Sequence, residues 1–149
     1  MEELKQYFLM QYPAAIAAEN NDYFCYNIAV DDWLNLATDL KNNPILLVDF
    51  LICITCVDWK THLTIVYHFR STKLHHQLCI KIKLENENPQ IQSVCQLWQT
   101  AEFHEREVFD LMGIQFINHP DLRRLFLTDE WVGYPLRKNY EDPINMIKL

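Results

Sequence analysis

Glycine is almost missing from this 149-residue chain; only Gly113 and Gly133 occur. Phosphate-cradling loops need several backbone N–H groups clear of side chains. Two glycines twenty residues apart cannot write G-x-G-x-x-G or G-x-x-x-x-G-K-[ST], so nucleotide sites of those kinds are excluded. Basic charge is also short. Lys and Arg number 13 against 20 Asp and Glu, giving a net charge of −7, and no basic run exceeds two residues. Nucleic-acid binding draws its affinity from cations on phosphates, so that class is excluded too, and an anionic membrane surface would repel the chain. Long apolar runs are lacking. The best, Pro44 to Val57, is interrupted by Asp49 and falls short of the roughly 20 residues a membrane helix needs. The start, Met1-Glu2-Glu3-Leu4-Lys5, has neither the basic opening of a signal peptide nor the Arg-rich character of a transit peptide. The expectation is a protein made and kept in the cytosol. Cys25, Cys53, Cys56, Cys79 and Cys95 are odd in number, which suggests reduced thiols serving as small buried hydrophobes.

Half of the residues are apolar, enough for one domain with a real core. Residues 2–19 read as a helix broken or kinked at Pro13. Asn20-Asn21-Asp22 signals a turn and 23–30 a strand. Asp31 can cap a helix running to Lys41 with Trp33, Leu34, Ala37 and Leu40 on its apolar face. Three strand-like runs follow. Residues 45–57 are almost wholly apolar, as in a central strand covered on both faces. Residues 63–70 form the second run. The third, 76–84, alternates Leu78, Ile80, Ile82 and Leu84 against Cys79, Lys81 and Lys83, implying one solvated face. After a polar loop over 85–90, a helix is expected from Ser93 to Met112, with Gly113 just past its end. The fold class is therefore α/β in the α+β sense: two layers, a mostly antiparallel central sheet, flanking helices and an irregular charged C-terminal segment. A single domain, 1–149, divides into a core-building part (1–97), a helix with a presented segment (98–142) and a tail (143–149). Charged residues make up 14 of 45 positions in 98–142 but 18 of 97 before it, which marks the later part as surface.

Glu102, Arg106 and Asp110 fall at successive helical turns, so Arg106 is expected between two carboxylates, as an ordinary solvated helix face would also place it. Glu105, Glu107 and Asp110 could in principle perform acid–base work, but no nucleophile with a positioned base accompanies them. Cys53-Ile54-Thr55-Cys56 has a metal-site spacing, yet in a strand its thiols point to opposite faces, and no second pair completes four ligands. The histidines show no H-x-x-x-H or H-E-x-x-H spacing, so a metal site is not expected.

The run from Trp98 to Tyr140 is where the chain becomes specific. Trp98 and Ala101 lead into Glu105-Arg106-Glu107, Asp110, Gly113-Ile114 and Phe116. His119-Pro120-Asp121-Leu122-Arg123-Arg124 comes next, then Trp131, Gly133, Pro135-Leu136-Arg137-Lys138 and Tyr140. This order closely resembles the 30-kDa-type subunit, or C subunit, of NADH–quinone oxidoreductase (respiratory complex I). Departures are Phe103 for a second tryptophan, Asn118 where relatives often carry Gly, and Tyr134 for a common His.

The resemblance implies a non-catalytic scaffold subunit of a proton-pumping respiratory translocase, with no catalytic, cofactor or metal residue of its own. NADH, FMN, iron–sulfur clusters and quinone are expected in partner subunits. The chief partner would be the hydrogenase-like large subunit that helps form the quinone site. The expected location is peripheral, on the cytoplasmic side of a bacterial inner membrane. Glu105, Arg106, Glu107, Asp110, Gly113, His119, Pro120, Asp121, Arg123, Arg124, Trp131, Gly133, Pro135, Arg137 and Lys138 are the signature and docking candidates. Among them, Arg123–Arg124 and Arg137–Lys138 are expected to fix the partner, with Trp131 and Tyr134 as anchors. Closely similar subunits serve energy-converting hydrogenases and dehydrogenases that take electrons from a reduced deazaflavin or ferredoxin, so the donor stays open. A chain with such a surface bare is expected to self-associate in isolation.

Overall fold

Pro13 lacks a backbone N–H and disfavours helix at the residue before it. In the computed structural model, which describes residues 2–13, 15–17 and 24–144, helix α1 accordingly spans Glu2–Gln11. Beyond Pro13 the chain is extended as β1 (Ile16–Ala17) rather than helical. The rest of the expected helix, the turn at Asn20-Asn21-Asp22 and the strand's start at Tyr23 lie outside the described residues. Strand β2 (Phe24–Ile28) leads through a 3-10 turn (Val30–Asp32) into α2 (Trp33–Asn42). Neither the expected Asp31 cap nor Asp32 makes a side-chain cap bond. The buried stripe of α2 is Trp33, Leu36, Ala37 and Leu40. That is a 3-1-3 spacing on one helical face, so Leu36 takes the place expected of Leu34, which is exposed.

The meander is present. Strands β3 (Phe50–Asp58), β4 (Leu63–Arg70) and β5 (Gln77–Leu84) pair antiparallel in that order. β2 then lies parallel to β5, giving the sheet order β1-β2-β5-β4-β3. Residues 45–57 are thus not a central strand. A turn over 44–46 and Leu47 at φ +44° break the run, and β3 forms the sheet's edge. Leu46 and Val48 still reach the core, from an irregular stretch tied to α2 by the Val48 N–H on the Leu40 carbonyl (2.8 Å). An apolar run signals burial of side chains, not strand position, and that is why the sequence misleads here. The outward face of β5 is also less solvated than its alternation implies, because Cys79 is buried with Cys25 and Val66 in a small cluster.

The helices share the other face of the sheet. There Trp33 lies over Tyr67 (centroids 4.2 Å apart) and Phe69 over Trp98 (4.8 Å). Both indole N–H groups find carbonyls, Trp33 on Gln92 and Trp98 on Val48, each at 3.1 Å. Buried aromatics with satisfied polar ends make strong core anchors. Helix α3 is shorter than expected, Ala101–Met112, with turns over residues 95–100. It is flanked by two short strands, β6 (Gln90–Gln92) and β7 (Gln115–Ile117), which pair parallel and have no counterpart in the sequence reading.

Candidate partner-docking site

Helix α3 carries three charged side chains inward: Glu105, Arg106 and Asp110 are all buried. Asp110 sits in the last turn of the helix, where the backbone dipole disfavours an anion. Its compensation comes from the segment that follows. Oδ2 accepts the backbone N–H groups of Leu125, Phe126 and Leu127 at 3.1, 2.7 and 3.0 Å. Oδ1 accepts Arg124 Nη1 at 2.9 Å. Burial alone would push the Asp110 pKa up, but the Arg124 guanidinium and the three N–H groups hold it below the usual carboxylate range.

Arg124 also donates to the carbonyls of Asp110, Trp131 and Gly133 at 2.9, 2.9 and 3.1 Å. Its guanidinium carbon lies 5.4 Å from the centroid of the Tyr134 ring. Arg106 does not take up the expected position between Glu102 and Asp110. It donates instead to the carbonyls of Arg123 (3.2 Å) and Arg124 (3.0 Å), stacking near the Phe103 ring. One irregular stretch thus hangs from α3 by charge-assisted bonds to its own backbone.

Two glycines make the wrap possible. Gly113 has φ +76°, and a Cβ there would meet the Tyr134 ring at 2.5 Å. Gly133, at φ +86°, faces the Tyr140 ring at 3.0 Å. Asn118, the departure from a common Gly, adopts φ +65°, a conformation asparagine tolerates better than most residues. Further on, Asp58 at the end of β3 accepts the N–H groups of Lys138 (2.9 Å) and Lys60 (2.6 Å). Burial raises the Asp58 pKa and these bonds lower it, with a net downward shift. The Arg137 guanidinium donates to the Asn86 carbonyl.

A second network holds the front of α3. Glu105 accepts the Val94 N–H (2.8 Å), the Ser93 hydroxyl (2.6 Å) and the Cys95 thiol (3.3 Å). Burial raises its pKa against the pull of those donors. The imidazole of His119 is fully buried, with Nε2 3.9 Å from Glu105. Its Nδ1 accepts the Asp121 N–H at 3.0 Å, which leaves the proton on Nε2 to be donated to the Glu102 carbonyl at 3.0 Å. Ligand atoms of Cys95, Glu105 and His119 lie within 4.8 Å of one another. Each of these atoms also takes part in a hydrogen bond, so the three side chains form one connected buried network, and burial pushes the Cys95 thiol up to about 12.

The residues expected to dock therefore divide. Arg124 and Tyr134 are spent inside the chain. So is Arg106, and Trp131 is half-buried. Glu107, Pro120, Asp121, Arg123 and Lys138 are exposed, and Arg123 pairs with Asp121 at 2.8 Å in the open. The carboxylates weighed for acid–base chemistry do not converge, since Glu105 and Asp110 lie in separate networks and Glu107 faces outward. What sequence reasoning missed is the apolar set between the signature residues: Phe126 (66 % exposed), Val132 (86 %) and Leu136 (60 %), with Phe103 on α3 (57 %). Their signal was their place in an otherwise charged stretch.

The family model for the respiratory-chain NADH dehydrogenase 30 Kd subunit matches residues 26–143. The chain is 46 % identical over 104 residues to the NADH-quinone oxidoreductase C/D subunit of Phocaeicola vulgatus, covering 68 % of this chain and 20 % of that protein. It is 34 % identical over 142 residues to the NADH-quinone oxidoreductase C subunit of Moorella thermoacetica, covering 94 % and 92 %. It spans a fifth of the first of these relatives and about half of the C subunit from Chloroherpeton thalassium, whose share is 48 %. Among solved structures, a trypsin-resistant fragment of Nqo5 superposes with TM-score 0.71 at 23 % identity, covering 82 % of this chain and all of that one. A chain of the membrane-bound sulfane sulfur reductase, an archaeal respiratory membrane complex, gives 0.80 at 22 % identity, covering 94 % and 85 %. No helix among the described residues is long and apolar enough to cross a membrane. The chain belongs to the 30-kDa subunit family of the respiratory-chain NADH dehydrogenase.

Proposed function

We propose that this chain is a peripheral assembly subunit of a proton-pumping NADH–quinone oxidoreductase, carrying no redox centre of its own. NADH, FMN, iron–sulfur clusters and quinone belong to its partners in this reading. Its main partner is the hydrogenase-like large subunit at the quinone site, on the cytoplasmic side of a bacterial inner membrane. The observation that carries the reading is the use made of the family's charged signature. Arg106, Asp110 and Arg124 spend their bonds on the chain's own backbone, and the segment they hold leaves Phe126, Val132 and Leu136 exposed. Large apolar side chains held outward on a braced segment are what a permanent interface requires. Arg123 and Lys138 supply charge at its rim.

The test is a mild-detergent pull-down of the tagged chain from its host, with mass spectrometry. Recovery of the large subunit, iron–sulfur subunits and NADH-binding subunits is expected; recovery of none of them overturns the scaffold role. A second reading, the equivalent subunit of a complex with another donor, is favoured by the likeness to a chain of the sulfane sulfur reductase complex. Recovery of the core without NADH-binding subunits would select it.

A further inference from the structure

The sheet has its helices on one face, and the opposite face has a charge unlike the rest of the chain. Cross-strand register places Val57, Thr64 and Lys83 side by side, then Thr55, Val66, Lys81 and Asn27. The next rows are Cys53, His68, Cys79 and Cys25, then Phe50, Arg70 and Gln77. Directly opposite residues share a face. Across β2 to β5 that face therefore holds three permanent cations, Arg70, Lys81 and Lys83, and no carboxylate among the described residues, in a chain of net charge −7. The nearest acids in sequence flank the strands: Asp49, which accepts the Thr72 N–H and hydroxyl just past β4, Asp58, which is buried at the end of β3, and Glu85 and Glu87, which line a hollow with Lys83 beyond β5. Between the cations stand the buried cluster of Cys25, Val66 and Cys79 and the exposed Phe50 and Val57.

We infer that this sheet face is a second protein interface, and that its occupant is an acidic amphipathic segment of another subunit, laid across β3, β4 and β5. Charge complementarity selects the occupant, because carboxylates would meet Lys81, Lys83 and Arg70 while an apolar stripe covers Phe50, Val57 and Val66. A membrane surface fits less well, since lipid-binding patches gather about four to eight cations and this face has fewer. A second copy of this acidic chain would bring its own matching cations face to face. The inference rests on the chain's being a subunit of a larger complex, as proposed above.

Zero-length carbodiimide coupling on the intact complex, purified with this chain in place, tests it, because the reagent joins an amine only to a carboxylate in contact with it. Lys81 or Lys83 should couple to an Asp or Glu of another protein of the complex, and K81E/K83E should be retained in the complex roughly tenfold less than the parent chain. Far-ultraviolet dichroism of the variant checks that it folds. Coupling to a second copy overturns the inference. So do lysines as reactive in the complex as in the free chain, and shielding that vanishes on removing lipid. A chain absent from the complex altogether fails the assembly reading beneath it, a result distinct from a chain present with its lysines free.

Discussion

Phe69 near the end of β4 and Asp110 near the end of α3 are both withdrawn from water, among neighbours of opposite kinds. Around Phe69 stand Trp33, Tyr67 and Trp98, and the contacts are aromatic and non-directional. Around Asp110 stand one guanidinium and three backbone N–H groups, and each contact has a direction and a partner. The first region is stabilised by area removed from water. The second has little apolar area to remove and is stabilised by satisfying polar groups that would otherwise be stranded. A core of the first kind tolerates trimming by degrees, whereas a clasp of the second kind fails when one member is lost.

The largest effect should come from breaking the clasp. Asp110→Ala leaves Arg124 largely buried without its anion and is expected to cost about 3–5 kcal/mol. Hydrogen exchange should rise over residues 122–136 while β4 and β5 stay protected; equal loss in both would erase the distinction between the regions. Ile80→Ala, fully buried in the sheet, should cost about 2–5 kcal/mol in denaturant unfolding and lower protection everywhere at once. Gly113→Ala sets a methyl against the Tyr134 ring and requires an unfavourable φ; about 1–3 kcal/mol is expected, again localised to the clasp.

Acid should separate the two networks on α3. Asp110 and Asp58 have lowered pKa values in the fold, so their stabilisation is present above the ordinary carboxylate value of about 3.9 and is lost as pH falls through their folded values. Glu105 is raised, so its contribution has the opposite sign: it favours the fold below its ordinary value and fades as pH rises through the folded one. Amide NMR signals of Leu125, Phe126 and Leu127 should therefore move toward unfolded positions on acidification before those of Val94 and Cys95. The smallest effect on stability is expected from Arg123→Ala, whose pair with Asp121 is open to solvent. Unfolding should be unchanged while retention in the complex falls. The paired change of Arg123 and Arg124 to Ala, by contrast, should loosen residues 122–136 as well, because Arg124 is part of the clasp.

Reading the chain alone went furthest where a pattern has a single structural meaning. The alternation from Leu78 to Leu84, the stop at Gly113 and the meander all follow from local rules. Strand position does not: only the later part of the run from Ile45 to Val57 became a strand, and it lies at the edge because β2 joined the sheet beside β5, from about fifty residues away, rather than beside β3. The motif residues of α3 were legible as a group, but their partners were not. Helical spacing suggested that Arg106 pairs within its own helix, whereas its acceptors are carbonyls at Arg123 and Arg124. Contacts of a side chain with a distant, irregular backbone leave no periodic trace.

The bond from the Lys138 amide to Asp58 spans eighty positions, and it orders events in time. A ribosome delivers the meander first, and β2 can dock beside β5 once residue 84 has emerged. The clasp on Asp110 can close once Gly133 has emerged, but the far end of the segment cannot be pinned to the sheet until Lys138 is also outside the exit tunnel. Nascent chains stalled between those points would carry a finished sheet and a partner surface anchored at one end, with the stretch around Leu136 still to be fixed.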